Sequence, residues 1–237
     1  MPKMRIQSLD TFAHPFSRAY WRLAASEMSS TKMLVFAALM AALRIALKTV
    51  SIPIGDNLNI GVQFLVNAYG AMVMGPVLAM LTALVTDVLG FVLHPDGVYF
   101  PLFALTEMAG ALVFALTFYR AKLTVKRVTL ARFTVNVLVN IVLQTPVMAA
   151  YYHLMLGRNY TLFNAMRIFK NLALFPIEAV LLVFFLRMTI PPTRRMGFFV
   201  SPIDDLKISP KNVAMLAGLT LLGIAMVLVY LFLRTKG

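Results

Sequence analysis

Apolar runs separated by short polar or proline–glycine connections organise this chain from residue 31 onward. They fall at about 31–51, 60–75, 77–93, 100–119, 130–153, 166–188 and 212–233, and most approach the ~20 residues that a membrane helix needs. Gly75-Pro76 leaves room only for a tight turn between the second and third runs. Residues 1–30 hold Lys3, Arg5, Asp10, Arg18, Arg22 and Glu27 with no apolar core ahead of Met33, so no cleavable signal is expected. There Phe12, Phe16, Tyr20 and Leu23 recur at helical spacing, with Arg18 and Arg22 on another face. That pattern fits a short interfacial helix, interrupted early by Pro15, and a disordered tail equally well. Pro191-Pro192, Pro202 and Pro210 predict an irregular connection before the last run.

The fold class is therefore an all-α integral membrane protein. It divides into an N-terminal segment (1–30), a six-helix domain (31–190), a linker (191–211) and a further C-terminal helix (212–237). Composition agrees: 60% of residues are hydrophobic, 13% are charged and the mean hydropathy is +0.82, outside the range of soluble domains. The absence of cysteine excludes disulfides, thiolate catalysis and cysteine-held metals.

A net charge of +13 raises the question of nucleic acid, but its distribution answers it. Basic residues gather before the first run (Lys3, Arg5, Arg18, Arg22, Lys32), between the fourth and fifth (Arg120, Lys122, Lys126, Arg127, Arg132) and between the sixth and seventh (Arg187, Arg194, Arg195, Lys207, Lys211). With a cytoplasmic N-terminus, all three groups lie inside, as the positive-inside tendency requires. The excess charge reads as topology and attraction to lipid, with no nucleic-acid partner.

Polar groups inside the apolar runs carry the candidate chemistry. Arg44 interrupts the first; a guanidinium within a membrane helix costs at least about 2.5–3.5 kcal/mol and persists where an anion, a carboxylate or a water-filled cavity offsets it. Ala38 and Ala42 lie on roughly the opposite side of that helix, a smooth face suited to a protein partner. Asn59, Gln63 and Asn67 form a stripe on the second run, and Asn136, Asn140 and Gln144 another on the fifth. Arg167, Asn171 and Glu178 share a face of the sixth, with Lys170 adjacent. Buried amides can simply join helices. Several at one depth, with Arg44, Lys170 and Glu107, point instead to a cavity lining. Asp87, Glu107 and Glu178 fit either as ligand contacts or as neutralising partners of Arg44, Arg167 or Lys170. The loops 51–59 and 94–101 lie at one membrane face, and Tyr99, Phe100 and Phe103 there are suited to stacking a flat heterocycle.

No phosphate-binding G-x-x-x-x-G-K-[ST], H-E-x-x-H or nucleophile-elbow pattern is present, and His14, His94 and His153 are dispersed. Nothing in the residues supports catalysis, a metal or a cofactor.

Three segments carry a resemblance. They are Ala38-x-x-x-Ala42-Leu-Arg44 with Ser51-Ile-Pro-Ile-Gly-Asp-Asn-Leu58, Asp87 through Tyr99-Phe-Pro101 to Gly110, and Arg167-Ile-Phe-Lys170-Asn171 through Pro176-Ile-Glu178. Over about residues 31–190 the chain resembles the substrate-binding S components of energy-coupling factor (ECF) transporters, within them the folate family. The resemblance implies a six-helix S-component fold and an ABC-type importer subunit of the bacterial plasma membrane. It would capture a vitamin at the outer face and dock, through Ala38 and Ala42, on a transmembrane coupling protein bound to two ATPase subunits. It implies ligand contacts from Arg44, Gln63, Asn67, Tyr99, Phe103, Glu107, Asn140, Lys170 and Asn171. In that reading Arg44 and Lys170 take the folate carboxylates, and Glu107 or Asn140 the pterin amines. The chain departs from the family pattern at Asn59, Val66 and Glu107 and in its seventh apolar run. An S component for another vitamin or precursor (hydroxymethylpyrimidine- or pyridoxine-like) and a membrane enzyme on a lipid-like substrate remain the alternatives.

Overall fold

The computed structural model describes residues 15–55, 58–95, 97–162, 165–198, 206 and 209–235. Of the residues with expected roles, Lys3, Arg5, Asp10, Phe12, His14, Asp56, Asn57, Pro202 and Lys207 lie outside the described residues. Helix α1 (Arg18–Ser26) starts at Ser17, whose side chain accepts from the Tyr20 amide. It meets α2 (Thr31–Ala46) at 83°, where Ser30 caps the new helix by accepting from the Met33 amide. Tyr20 and Ala24, rather than Phe16, are buried: the Tyr20 hydroxyl donates to the Ala115 carbonyl while the Phe16 ring is 85% exposed. So α1 is a helix docked at one end of the bundle, with Trp21 still part-exposed.

The first predicted span ends early. After α2 the chain forms an antiparallel pair, β1 (Ser51–Gly55) and β2 (Leu58–Gly61), in the register Ser51↔Gly61, Ile52↔Ile60 and Pro53↔Asn59. The second run therefore becomes helical only at Gln63. Asn59 belongs to a strand, not to the helical stripe with Gln63 and Asn67, because Ile52 and Ile60 draw the loop into strand pairing.

Helix α3 (Gln63–Leu93) is broken at Gly75, whose φ of +75° a side-chain-bearing residue would rarely adopt, with Pro76 following. A Cβ at Gly75 would also meet the Tyr119 ring at 3.0 Å. The two legs run back on each other: Gln63 lies near Arg44 at one end of α2, and Gly90 lies against Lys48 at that same end. The tight turn expected at Gly75-Pro76 is present.

Helix α4 (Leu102–Phe118) returns towards α1, and its C-terminal cap Tyr119 donates to Glu27, which also pairs with Arg120 at 3.6 Å. Helix α5 (Val125–Thr134) passes without interruption through a π-helical stretch, Val135–Leu143, into α6 (Gln144–Leu156). It starts earlier than the expected 130, because Thr124 caps it by accepting from the Arg127 amide. Arg132 therefore lies inside the bundle, 5% exposed, and not in the basic connection where the charge pattern put it.

Helix α7 (Ala165–Arg195) continues through Pro191 and Pro192, which were expected to break it. Its last turn is held by buried Thr193, which donates to the Thr189 carbonyl and meets the Tyr69 hydroxyl at 2.7 Å. Helix α8 (Pro210–Thr235) starts with Pro210 in its first turn, a favoured site for proline. It packs along α7, where a Cβ on Gly223 would come within 2.8 Å of Ile177.

The seven predicted spans correspond to α2, the two legs of α3, α4, α5–α6, α7 and α8. Leu130, Leu138, Leu221 and Leu228 are among the exposed apolar side chains that face lipid. The chain is a multi-pass membrane protein.

Candidate ligand-binding site

Two adjoining cavities open at the end of the bundle that carries the β1–β2 pair. The outer cavity, about 360 Å³, is walled by the rings of Phe91, Tyr99, Phe100, Phe103 and Tyr151, with Lys48, Asp87 and Gln144 as polar groups. Its aromatic wall is built from three helices, α3, α4 and α6, and the connection that carries Tyr99 and Phe100. Tyr151 on α6 meets Phe100 and Phe103 at centroid distances of 5.6 and 5.4 Å, and Tyr99 meets Phe91 of α3 at 5.1 Å. The Tyr99 hydroxyl donates to Asp87 at 3.3 Å. Desolvation, with the charge and hydrogen bond of Asp87 added, raises the Tyr99 phenol above its ordinary value, so this donor keeps its proton.

The inner cavity, about 230 Å³, is lined by Arg44, Gln63, Asn67, Glu107, Arg132, Asn140 and Glu178 over an apolar base of Phe114, Val135 and Val139. Two ion pairs stand in it. Arg44 Nη2 donates to Glu107 Oε2 at 2.8 Å; the arginine is 3% exposed and the carboxylate 41%. Arg132 grips Glu178 with two nitrogens, Nη2 to Oε1 at 2.8 Å and Nε to Oε2 at 3.0 Å, and its guanidinium lies 4.1 Å from the Phe64 ring centroid. Each buried charge therefore has a partner, as a membrane interior demands.

An amide relay leads from the cavity wall to the second pair. Asn140 donates to Asn136 Oδ1 at 3.2 Å, and Asn136 donates to Glu178 Oε2 at 2.9 Å and to the Asn171 carbonyl at 3.1 Å. Both asparagines lie on the π-helical stretch, a local widening that often accompanies functional positions. Among the described residues, only Thr106 and Glu107 line both cavities.

Of the residues expected to meet a ligand, Arg44, Gln63, Asn67, Glu107 and Asn140 come together around the inner cavity, and Tyr99, Phe103 and Glu107 around the outer one. Lys170 and Asn171 line neither. One helical step turns Lys170 from the Arg167 face towards α8, where its ammonium lies 5.7 Å from the Tyr230 ring centroid. Asn171 donates to the Arg167 carbonyl at 3.0 Å. Arg167 bonds Thr145 and the Tyr160 hydroxyl, tying α7 to α6. The partner of Glu178 is Arg132, not Arg44, Arg167 or Lys170.

Sequence reasoning missed Arg132, Lys48 and Tyr151. Arg132 stands one turn before Asn136 on the Asn136–Asn140–Gln144 stripe, so the periodicity itself held the signal. Lys48 follows the end of α2 next to Arg44; nothing distinguishes Tyr151 from an interfacial tyrosine.

The family model for the S component of ECF-type riboflavin transporters matches residues 28–189. The chain is 32% identical over 158 residues to the folate transporter FolT of Clostridium novyi (strain NT), covering 65% of this chain and 88% of that one. It is 30% identical over 159 residues to the folate transporter FolT of Leuconostoc mesenteroides subsp. mesenteroides (strain ATCC 8293), covering 66% and 85%. Among solved structures it is similar to a crystal structure of FolT bound with folic acid, with a TM-score of 0.54, 26% identity and coverage of 63% of this chain and 88% of that one.

Proposed function

The chain belongs to the S components of ECF-type transporters, and on that premise we propose that it captures folate and hands it to a coupling module for import. The observation that carries this reading is the pairing of a polar inner cavity with an aromatic outer one. Folate is a long anion with a flat pterin, an aromatic linker and a glutamate tail. The inner cavity offers Asn67, Asn140, Arg44 and Glu107 to the donor and acceptor edges of the pterin. Phe103, Tyr99 and Tyr151 flank the linker, and Lys48 lies where the tail carboxylates emerge. This assignment moves the carboxylate contact expected of Arg44 to Lys48.

Delivery requires partners. The chain has no phosphate-loop motif of its own, and Ala38 and Ala42 are exposed on the face of α2 away from buried Arg44. Leu34, Val35, Leu39 and Leu43 extend that face as a continuous apolar strip. A transmembrane coupling protein, itself carrying two ATPase subunits, docks there in this reading. Arg18, Arg22, Lys32, Lys122, Arg127 and Arg194 all lie at the α1 end, which supports a cytoplasmic N-terminus and an outward-facing site.

The test is to purify the protein in detergent from folate-fed cells, identify co-purified small molecules by mass spectrometry, and titrate folic acid and riboflavin calorimetrically. Stoichiometric folate is the expected result. Preferential binding of riboflavin, for which the matching family model is named, would keep the transport role and replace the substrate.

A further inference from the structure

Glu107 occupies the junction of the two cavities, and its carboxylate is tied across that junction to Arg44 at 2.8 Å. The other residue common to both, Thr106, is buried and directs its hydroxyl back to the Phe103 carbonyl at 2.7 Å. The charged tie is therefore the movable part of the junction. Glu107 is 41% exposed, so it has room to turn, while Arg44 is 3% exposed and fixed. Arg44 also has an unmet demand: its Nε is buried with no hydrogen-bond partner among the described residues, although the guanidinium lines the inner cavity. A buried donor left unmade is costly, so an acceptor arriving in that cavity is favoured.

We propose that Glu107 is the throat between the two cavities, restricting passage from the outer to the inner one by its hold on Arg44 until a ligand acceptor takes its place on the guanidinium. The acceptor class is a carbonyl or ring-nitrogen edge of a flat heterocycle, which can meet Nη2 and Nε together as a carboxylate held at one nitrogen does not. The identity of that heterocycle as a pterin rests on the folate reading; the closure does not. Arg44 thus stays paired in both states. A ligand long enough to occupy both cavities holds the throat open, whereas a short one lets it close again.

The chain has no cysteine, so a single introduced thiol reports access without background. A Cβ at Gly110, in the inner cavity, meets only Asn67 Nδ2, at 3.8 Å. The full-length, ligand-free Gly110→Cys protein is treated with methyl methanethiosulfonate over a range of pH, so that rates are compared per thiolate and the charge at residue 107 is not read as access. It is compared with a Gln144→Cys protein probing the outer cavity. Adding Glu107→Ala is expected to speed labelling of the inner thiol roughly five-fold, the scale set by a part-exposed ion pair, and to leave the outer thiol unchanged. Equal inner-thiol rates with and without Glu107 would overturn the proposal. If both thiols become faster because the fold has loosened, Glu107→Gln, which keeps the side-chain length, decides by the same comparison. Stopped-flow mixing with folic acid adds an independent reading, with faster association expected in Glu107→Gln. Failure of the wild-type protein to bind folic acid would remove the folate reading and leave the thiol result standing.

Discussion

Arg132 and Glu178 form a two-point ion pair within the membrane, with Asn136 donating a third hydrogen bond to the same carboxylate and Phe64 beneath the guanidinium. One partner comes from α5 and the other from α7, so the pair fixes those helices to each other at the base of the site. Removing one partner of a buried pair leaves an uncompensated charge and costs about 3–5 kcal/mol. Glu178→Ala is thus expected to lower the melting temperature sharply, and Arg132→Met with Glu178→Leu to recover much of the loss. Thermal unfolding of the purified single and double variants checks this; a double variant no more stable than Glu178→Ala would deny the pair its structural role.

Arg44 predicts a different balance. Its helix is held by Met33, Phe36, Ala37 and Met40 as well, so Arg44→Ala removes a ligand contact more than it removes a fold. Losing a charge-assisted hydrogen bond of this kind costs about 1.5–3 kcal/mol, and folic acid is expected to bind at least roughly ten-fold more weakly. Calorimetry beside a melting curve separates the two effects. Unchanged affinity would take Arg44 out of the site.

How far these positions were legible follows from physical rules of differing strength. Arg44 stood out because a charge in a membrane helix needs an explanation, and the turn at Gly75-Pro76 because no other pair so plainly ends and reverses a helix. The inner-cavity amides were legible through helical spacing, which held for Gln63 and Asn67 but failed for Asn59, where strand pairing took over. Arg132 was hidden by a charge rule that counts basic residues near a helix end as solvent-facing, although Thr124 marks an earlier helix start. Lys170 was read one helical step wrong, because an apolar run at the C-terminus does not announce which face of α7 it will cover. Distances between helices, such as the meeting of Tyr151 with Phe100 and Phe103, have no counterpart in a single sequence.

The α2 face yields a third prediction. Ala38 and Ala42 are exposed, while Ala37 and Met40 on the other side are buried. Bulk at the exposed pair should spoil close approach of a partner helix without touching either cavity. Ala38→Trp with Ala42→Trp is expected to leave folic acid affinity within about two-fold, since surface changes away from the site act weakly, while abolishing folate uptake in cells that supply the coupling module. Co-purification of that module with wild-type and variant protein is the direct check; full retention would move the docking surface elsewhere.

The last helix separates structure from function most cleanly. α8 meets α7 closely at Gly223, where a Cβ would come within 2.8 Å of Ile177 and 3.3 Å of Pro176, and again where Tyr230 stacks on Phe169 at 6.2 Å. Gly223→Leu cannot be absorbed by a flexible side-chain tip, because both neighbours are short and lie against the α7 backbone. The expected result is a displaced α8, seen as faster amide exchange along α8 and at Phe169–Lys170. Folic acid binding should persist, since no described α8 residue lines either cavity. A loss of binding comparable to that of Arg44→Ala would mean instead that α8 sets the position of Asn171 through Lys170 and Tyr230. Because the Asn171 carbonyl accepts from Asn136, the extra helix would then reach the inner cavity through the amide relay.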